Sequence, residues 1–375
     1  MCKRAKIAAV AVILAASAFI SGCGLFEKEK EKLDPPQDVT YLKEGENLET
    51  TTDETAPEEE SAEQEAAPEK EGADQETAGE GEEQAGTVMR DLYLIDRNGM
   101  VVSQTLPLPA SDSAAKQALE YLVADGPVTE MLPNGFRTVL PAGTTVDVDI
   151  KDGKAIVDFS EEFATYDGND EKRILEAVTW TLTQFDSVET VELRMNGHVL
   201  EEMPVNGTPI SKEGLSRADG INLVDTDTAD ITNTRPLTVY YLSQAGDDVY
   251  YVPVTQRISN NIEDDVEAVV HELAEGPGLT AGLVSGLSGD VSLLEPPTIK
   301  DGVVTLNFNE SILGSDEQNI ITDAALQSLV LSLTEQEGIE SVSVQVDGKT
   351  ELANEKGEPL TAPVTRPEKV NTGSY

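Results

Sequence analysis

The sequence predicts an α+β protein of two tandem two-layer sandwich domains, each a β-hairpin plus a helix-strand-strand-helix-strand core. Three observations predict this. The chain after residue 88 repeats itself: Ala124-Asp125-Gly126-Pro127 returns as Ala274-Glu275-Gly276-Pro277, and Ile156-Val157-Asp158-Phe159-Ser160-Glu161 as Thr305-Leu306-Asn307-Phe308-Asn309-Glu310. Leu182-Thr183 returns as Leu333-Thr334 and Asn196-Gly197 as Asp347-Gly348, so four landmarks keep one order at offsets of 149 to 151. Within each copy the apolar spacing changes from alternation to a helical stripe and back. An Asp-Gly pair, at 152–153 and 301–302, splits two alternating runs at the same place in both copies. It suits the positive φ of a two-residue hairpin turn.

Each copy opens on two alternating runs, Leu92 to Ile95 and Val101 to Leu106 in the first, Leu237 to Leu242 and Val249 to Val254 in the second. A helix follows, striped by Ala114, Ala115, Ala118, Leu119 and Leu122, and in the second copy by Ile262, Val266, Val269, Val270 and Leu273. Both helices are expected to stop at Gly-Pro, where glycine permits the left-handed cap and proline cannot continue. Next come the hairpins, Val146 to Ile150 with Ala155 to Phe159, and Val291 to Leu294 with Val303 to Phe308. The second helix turns Ile174, Val178, Leu182 and Phe185 inward, its counterpart Ile321, Ala325, Leu329 and Leu333. A last strand, Val188 to Met195 or Ile339 to Val346, closes each copy, with both helices on one sheet face.

Ahead of the repeats lie two segments of different character. Lys3, Arg4 and Lys6 precede an uncharged run from Ile7 to Ile20, 14 residues long. A membrane span needs about 20 apolar residues, so the run suits a signal peptide over 1–22. It ends in Ile20-Ser21-Gly22-Cys23, a bacterial lipobox, so lipidation is expected on Cys23. Residues 23–87 form an acidic tether: 24–86 hold 22 acidic and 5 basic side chains and few large apolar ones, too little to offset ordering entropy. The segment Leu33 to Leu42 breaks that pattern, as a docking segment or simply the start of the tether. The domains are placed at 88–215 and 234–370, with a linker over 216–233.

The formal net charge is −45. A surface this acidic repels phosphate backbones, which excludes nucleic acid as a partner, and it repels like subunits, so a monomer in isolation is expected. Two acyl chains hold a membrane firmly where one holds marginally, so the bilayer contact is expected through lipidated Cys23. After residue 22 the chain has one cysteine, which leaves no disulfide framework and no cysteine metal site.

Catalytic chemistry is sparse. His198 and His271 each stand alone, and no nucleophile elbow or phosphate loop occurs. Asp167, Asn169 and Glu171 match the first ligands of a calcium loop, but Lys172 and Val178 replace its glycine and bidentate glutamate. Asp158 and Glu161 could form a glycosidase-like pair, yet they recur as Asn307 and Glu310, which would disable a nucleophile. No enzyme activity, cofactor or metal is therefore expected. Trp180 lies roughly opposite the core stripe of its helix, and its repeat equivalent is Leu331. The two mark a candidate partner interface if exposed, whereas a hairpin folding back would bury them.

The lipobox, the acidic tether and the tandem copies carry a resemblance. So do Asp91 to Asp96, Gly126-Pro127, Leu132-Pro133-Asn134-Gly135-Phe136-Arg137, Thr179 to Phe185 and Leu237 to Leu242. The chain resembles the spore germination and sporulation lipoproteins built from GerMN domains, which are similar to the ring-building motifs of secretion systems. The resemblance implies a mother-cell plasma-membrane lipoprotein facing the extracytoplasmic space between mother cell and forespore. Its expected role is to support assembly or localisation of the channel complex linking the two cells, with channel proteins of both as partners, in sporulation and germination. The alternative is a lipoprotein that binds or hydrolyses cell-wall peptidoglycan.

Overall fold

A computed structural model describes residues 86–224, 233–245, 248–278, 282–315 and 319–372. The signal peptide, Cys23, the segment 33–42 and nearly all of the tether lie outside the described residues.

In the first copy β1 (Thr87–Ile95) and β2 (Val101–Pro109) form an antiparallel hairpin. Its turn is held by Asp96, whose carboxylate accepts the N–H groups of Asn98 and Met100 at 2.8 Å. Helix α1 (Ala114–Glu120) leads to β3 (Val146–Lys151) and β4 (Lys154–Phe159). Asp152 and Gly153 between them have φ of 51° and 80°, the two left-handed positions such a turn needs. Helix α2 (Glu171–Leu182) then crosses to β5 (Thr190–Met195), followed by β6 (His198–Val199). The sheet order is β3-β4-β5-β6, with β4 and β5 parallel because a helix joins them.

The second copy repeats this order. Hairpin β7 (Thr234–Ala245) and β8 (Asp248–Ser259) precedes α3 (Asp265–Glu275), and the two-residue β9 (Leu283–Val284) adds to β7. Strands β10 (Thr298–Lys300) and β11 (Val303–Phe308) follow, then the small pair β12 (Leu313–Ser315) and β13 (Ile320–Ile321). Helix α4 (Asp323–Leu333) leads to β14 (Ser341–Val346) and β15 (Val364–Thr365). The sheet is β10-β11-β14-β15, again parallel across the helical crossover. No helix among the described residues is long and apolar enough to cross a membrane.

The two-layer sandwich forms as expected, and the hairpin adds a third layer over it. Nine of the twelve residues of α2 and eight of the eleven of α4 are buried, so each helix is covered on both sides. One side meets Val157, Phe159, Val191 and Leu193 of the sheet, the other meets the hairpin. A small polar side chain on each helix fastens the hairpin: Thr181 accepts the Tyr93 N–H at 3.1 Å, and Ser332 accepts the Tyr240 N–H at 2.8 Å. This layering corrects the candidate interface. Trp180 and Leu331 are both 0 % exposed, because the hairpin folds back over the side of the helix that the stripe left apolar.

Three boundaries differ from the sequence reading. Helix α1 ends at Glu120, not Gly126, because the Leu122 carbonyl accepts the N–H groups of Val139 and Leu140 and turns the chain out of the helix. Helix α3 does stop at Gly276, whose φ is 81°. Ile321 lies in β13, before Thr322 caps α4 through the Ala325 N–H. The run Val291 to Leu294 keeps only a bridge from Leu293 to Phe308, and pairing resumes at Thr298. In the first copy Val146 faces Phe159 and pairing continues unbroken to the turn. Between those points the second copy carries two extra residues, and Glu295-Pro296-Pro297 bulge out of its sheet edge, where proline has no N–H to pair.

Candidate functional site

A set of largely half-buried polar contacts lies where the two copies meet, and Trp180 is part of it. Its Nε1 donates to the Gly220 carbonyl at 3.1 Å, its ring lies 5.6 Å from that of Tyr93, and the Arg217 guanidinium stacks over it at 4.4 Å. Arg217 also reaches Thr183 Oγ1 at 3.0 Å and pairs with Glu335 of the second copy. Glu335 accepts Arg366 at 3.3 Å and the Tyr240 hydroxyl at 3.1 Å. Arg366 bonds the Leu331 carbonyl at 3.1 Å and Thr334 Oγ1 at 3.3 Å. Trp180 and Leu331, a candidate interface only if exposed, are thus covered as the folded-back hairpin alternative requires, and they bind the molecule to itself.

A second layer of the junction is reciprocal. Asn222 clamps β2: it accepts the Val101 N–H at 2.8 Å, returns a bond to the Val101 carbonyl, and donates across to Pro253 of β8. Asn371 clamps β8 the same way, taking the Tyr251 N–H at 2.9 Å, returning to the Tyr251 carbonyl, and donating across to Ser103 of β2. Threonines complete the exchange. Thr255 of the second copy accepts the Ile221 N–H at 2.9 Å, and Thr105 of the first accepts the Val370 N–H at 3.1 Å. The contacts swap pairwise, as a two-fold relation between the copies requires. Residues 216–224, read as linker, and 365–371 are therefore equivalent packed arms, each carrying an arginine and an asparagine at matched places, the first entered from a bridge at Leu215 and the second from β15.

This signal was present in the sequence, since Arg217 and Arg366, like Asn222 and Asn371, stand 149 residues apart. It was missed because the arms have no hydrophobic period and share only two residue types at matched places.

The electrostatics fix the charge states. Burial alone would lower the guanidinium of Arg217, but the Glu335 carboxylate outweighs it and holds the side chain charged. Arg366 is likewise raised against its burial, by Tyr240 and Glu335. Burial pushes the Tyr93 hydroxyl up to about 12 and that of Tyr240 well above its ordinary value. Both arginines stay cationic and both tyrosines neutral near neutral pH, which suits bonding and not proton transfer.

The other candidates are placed as follows. Asp158 accepts the Gly197 N–H at 2.9 Å, and Asn307 accepts the Gly348 N–H at the same distance, so an acceptor oxygen is what both positions need. Glu161 opens an exposed 3₁₀ turn. Asp167 caps the next 3₁₀ turn, Gly168–Asp170, by accepting the Asn169 N–H, while Glu171 turns inward and bonds Tyr166, Thr208 and the N–H groups of Val205, Asn206 and Thr208. Its oxygens are spent, and the partial calcium loop does not assemble. His198 is exposed on β6. His271, Glu272 and Glu275 bring ligand atoms within 4.8 Å on the solvent side of α3, where an acidic helix face needs no ion to explain it.

Comparison with known proteins follows from this architecture. The sequence profile of the family Germane, described as "Sporulation and spore germination", matches residues 91–201 and 238–352. The chain is 54 % identical over 382 residues to the spore germination protein GerM of Bacillus subtilis (strain 168), covering all of both chains. It is 29 % identical over 117 residues to Lipoprotein LpqB of Thermobifida fusca (strain YX), covering 30 % of this chain and 18 % of that one. The solved tandem GerMN domains of the Bacillus subtilis sporulation protein superpose with a TM-score of 0.73 at 60 % identity, covering 77 % of this chain and 100 % of that one.

Proposed function

Because the chain belongs to the Germane family of sporulation and spore germination proteins, we propose that it works as a non-enzymatic scaffold that supports assembly or localisation of the channel complex between mother cell and forespore. The observation that carries this reading is the reciprocal junction. The half-buried arginines and the buried tyrosines and asparagines of the two copies are spent on holding one copy to the other. A body joined this way can hold partners at a fixed separation, which is what assembly needs and what turnover of a substrate does not require. Diacylglycerol on Cys23 anchors it to the mother-cell membrane, and the acidic segment 24–86 sets its reach from there.

The test uses sporulating cells that carry Cys23→Ala or the unaltered chain, with fluorescent fusions to mother-cell channel proteins. The Cys23→Ala chain is expected to leave the membrane fraction, the channel proteins to lose their foci, and the spores to germinate poorly. Normal foci and germination with the chain in the soluble fraction would refute the anchored scaffold. So would wall-cleaving activity of the purified chain that disappears with Glu161→Gln.

A further inference from the structure

We infer that the groove beside α3 in the second copy binds an extended basic and aliphatic segment of a partner protein. The groove has a volume of about 820 Å³ and runs between α3 and the chain leading into the bulge. Its floor is apolar, made by Val270, Ala274, Val291 and Leu293. Leu294 stands on its lip 47 % exposed. Its rim carries Glu267, Glu275 and Glu295, all exposed, with the His271 imidazole 3.9 Å from Glu275, and among the described residues no lysine or arginine lines it.

The first copy shows what belongs there. The buried stripe pairs Ala115, Ala118 and Leu119 of α1 with Val266, Val269 and Val270 of α3, which sets Lys116 against Glu267. The strand register pairs Val146 with Leu293, since each faces the equivalent phenylalanine, which sets Asp147 against Leu294. In the first copy Lys116 Nζ meets Asp147 at 2.7 Å and ties the helix to the edge strand. In the second copy the lysine has become a glutamate and the aspartate a leucine, and the bulge follows directly after that leucine. The tie is gone, the cationic place is vacant, and an acidic side chain and an apolar one face the opening.

An extended segment that sets aliphatic side chains on the floor and lysine or arginine between the rim glutamates satisfies both. Apolar burial supplies affinity, and the carboxylates supply selection and salt dependence. A second copy of this chain fits poorly, because its surface is strongly acidic. The acidic segment 33–42 fits poorly for the same reason. The inference rests on the scaffold reading above for its supposition that the occupant is a protein.

The experiment uses the full chain in detergent and two fluorescein-labelled probes, an alternating Lys-Leu peptide and its Glu-Leu counterpart, followed by fluorescence polarisation at low and high salt. The Lys-Leu probe is expected to saturate one site and to weaken in salt, and the Glu-Leu probe not to bind. The variant Glu267→Lys with Leu294→Asp restores the tie seen in the first copy and should fold normally by circular dichroism. It should weaken the Lys-Leu probe by about tenfold or more, the loss expected when a close charge pair and an apolar lip are both removed. Equal binding of both probes, no saturable binding, or unchanged binding by that variant would overturn the inference. So would a concentration-dependent dimer in sedimentation that the variant abolishes, since the occupant would then be a second copy. Should the variant lose the probe while its strain sporulates and germinates normally, the groove stands and only its link to channel assembly falls.

Discussion

At the residue scale the interior is not uniformly satisfied. Gln104 of β2 is 0 % exposed, and neither end of its amide has a hydrogen-bond partner among the described residues. The equivalent place in β8 holds Val254, buried at 1 %. Gln104→Leu removes an unpaired polar group and should stabilise the protein by about 1 to 2 kcal/mol in urea unfolding. Two glutamates of α2 give opposite pH dependences. Burial would raise Glu171, but hydrogen bonds from Thr208, Tyr166 and the 206–208 backbone overcome it and bring its pKa down from 4.5 to about 2. Its folded pKa lies below the unfolded one, so its stabilisation is present above 4.5 and is lost as pH falls toward 2. Glu171→Gln should cost about 2 kcal/mol at neutral pH and remove that acid limb. Glu176 is pushed up to about 7, chiefly by burial, with a hydrogen bond from the Asn222 N–H and the nearby Arg173 and Lys172 opposing. Its folded form holds a proton that the unfolded chain releases between 4.5 and 7, so stability falls as pH rises through that window. Glu176→Gln should flatten this slope in a pH series of melting temperatures, and an unchanged slope would show that another group causes it. None of these roles was legible beforehand. Glu171 looked like a calcium ligand by spacing, and only the fold shows that loop 203–208 folds over it. Trp180 was placed correctly off the core stripe, but a stripe cannot tell that a hairpin more than seventy residues earlier returns to cover it.

At the element scale the two arms are the feature with most at stake. Asn222 and Asn371 are 8 % and 3 % exposed, and each satisfies three backbone groups that face one another across β2 and β8. Asn222→Ala or Asn371→Ala strands those groups and should cost about 2 to 3 kcal/mol each. A double-mutant cycle should show coupling, because both clamps lock one strand gap. Strict additivity would mean that each arm serves its own copy alone. What could be read at this scale was what depends on local chemistry: the helical stripes, the Asp-Gly turns and the repeat. The bulge could not be read, because Val291 to Leu294 alternates like a strand and only the two-residue mismatch with the first copy, seen once the registers are known, shows that the edge departs. The early end of α1 escaped for a similar reason, since the carbonyl that stops it is claimed by residues 139–140.

At the scale of the whole molecule the two copies should not unfold separately. Glu335, Arg217 and Arg366 join a helix end of one copy to both arms, and all are largely buried. The described body should therefore melt in one cooperative transition by calorimetry, with calorimetric and van't Hoff enthalpies equal, while the Asn222→Ala and Asn371→Ala double variant should split it into two. The tandem organisation was legible from the offsets alone. The junction was not, because its residues lie in segments that read as connection and tail. Trp180 is the only tryptophan in the chain, and it is enclosed by the Tyr93 ring of β1 and by the Arg217 guanidinium and Gly220 carbonyl of the first arm. Nature has in effect installed a single optical gauge at the seam. Without any added dye, the colour of its emission reports whether the first arm stays packed over α2, and a shift toward the red on meeting a partner would mean that this arm lifts during assembly.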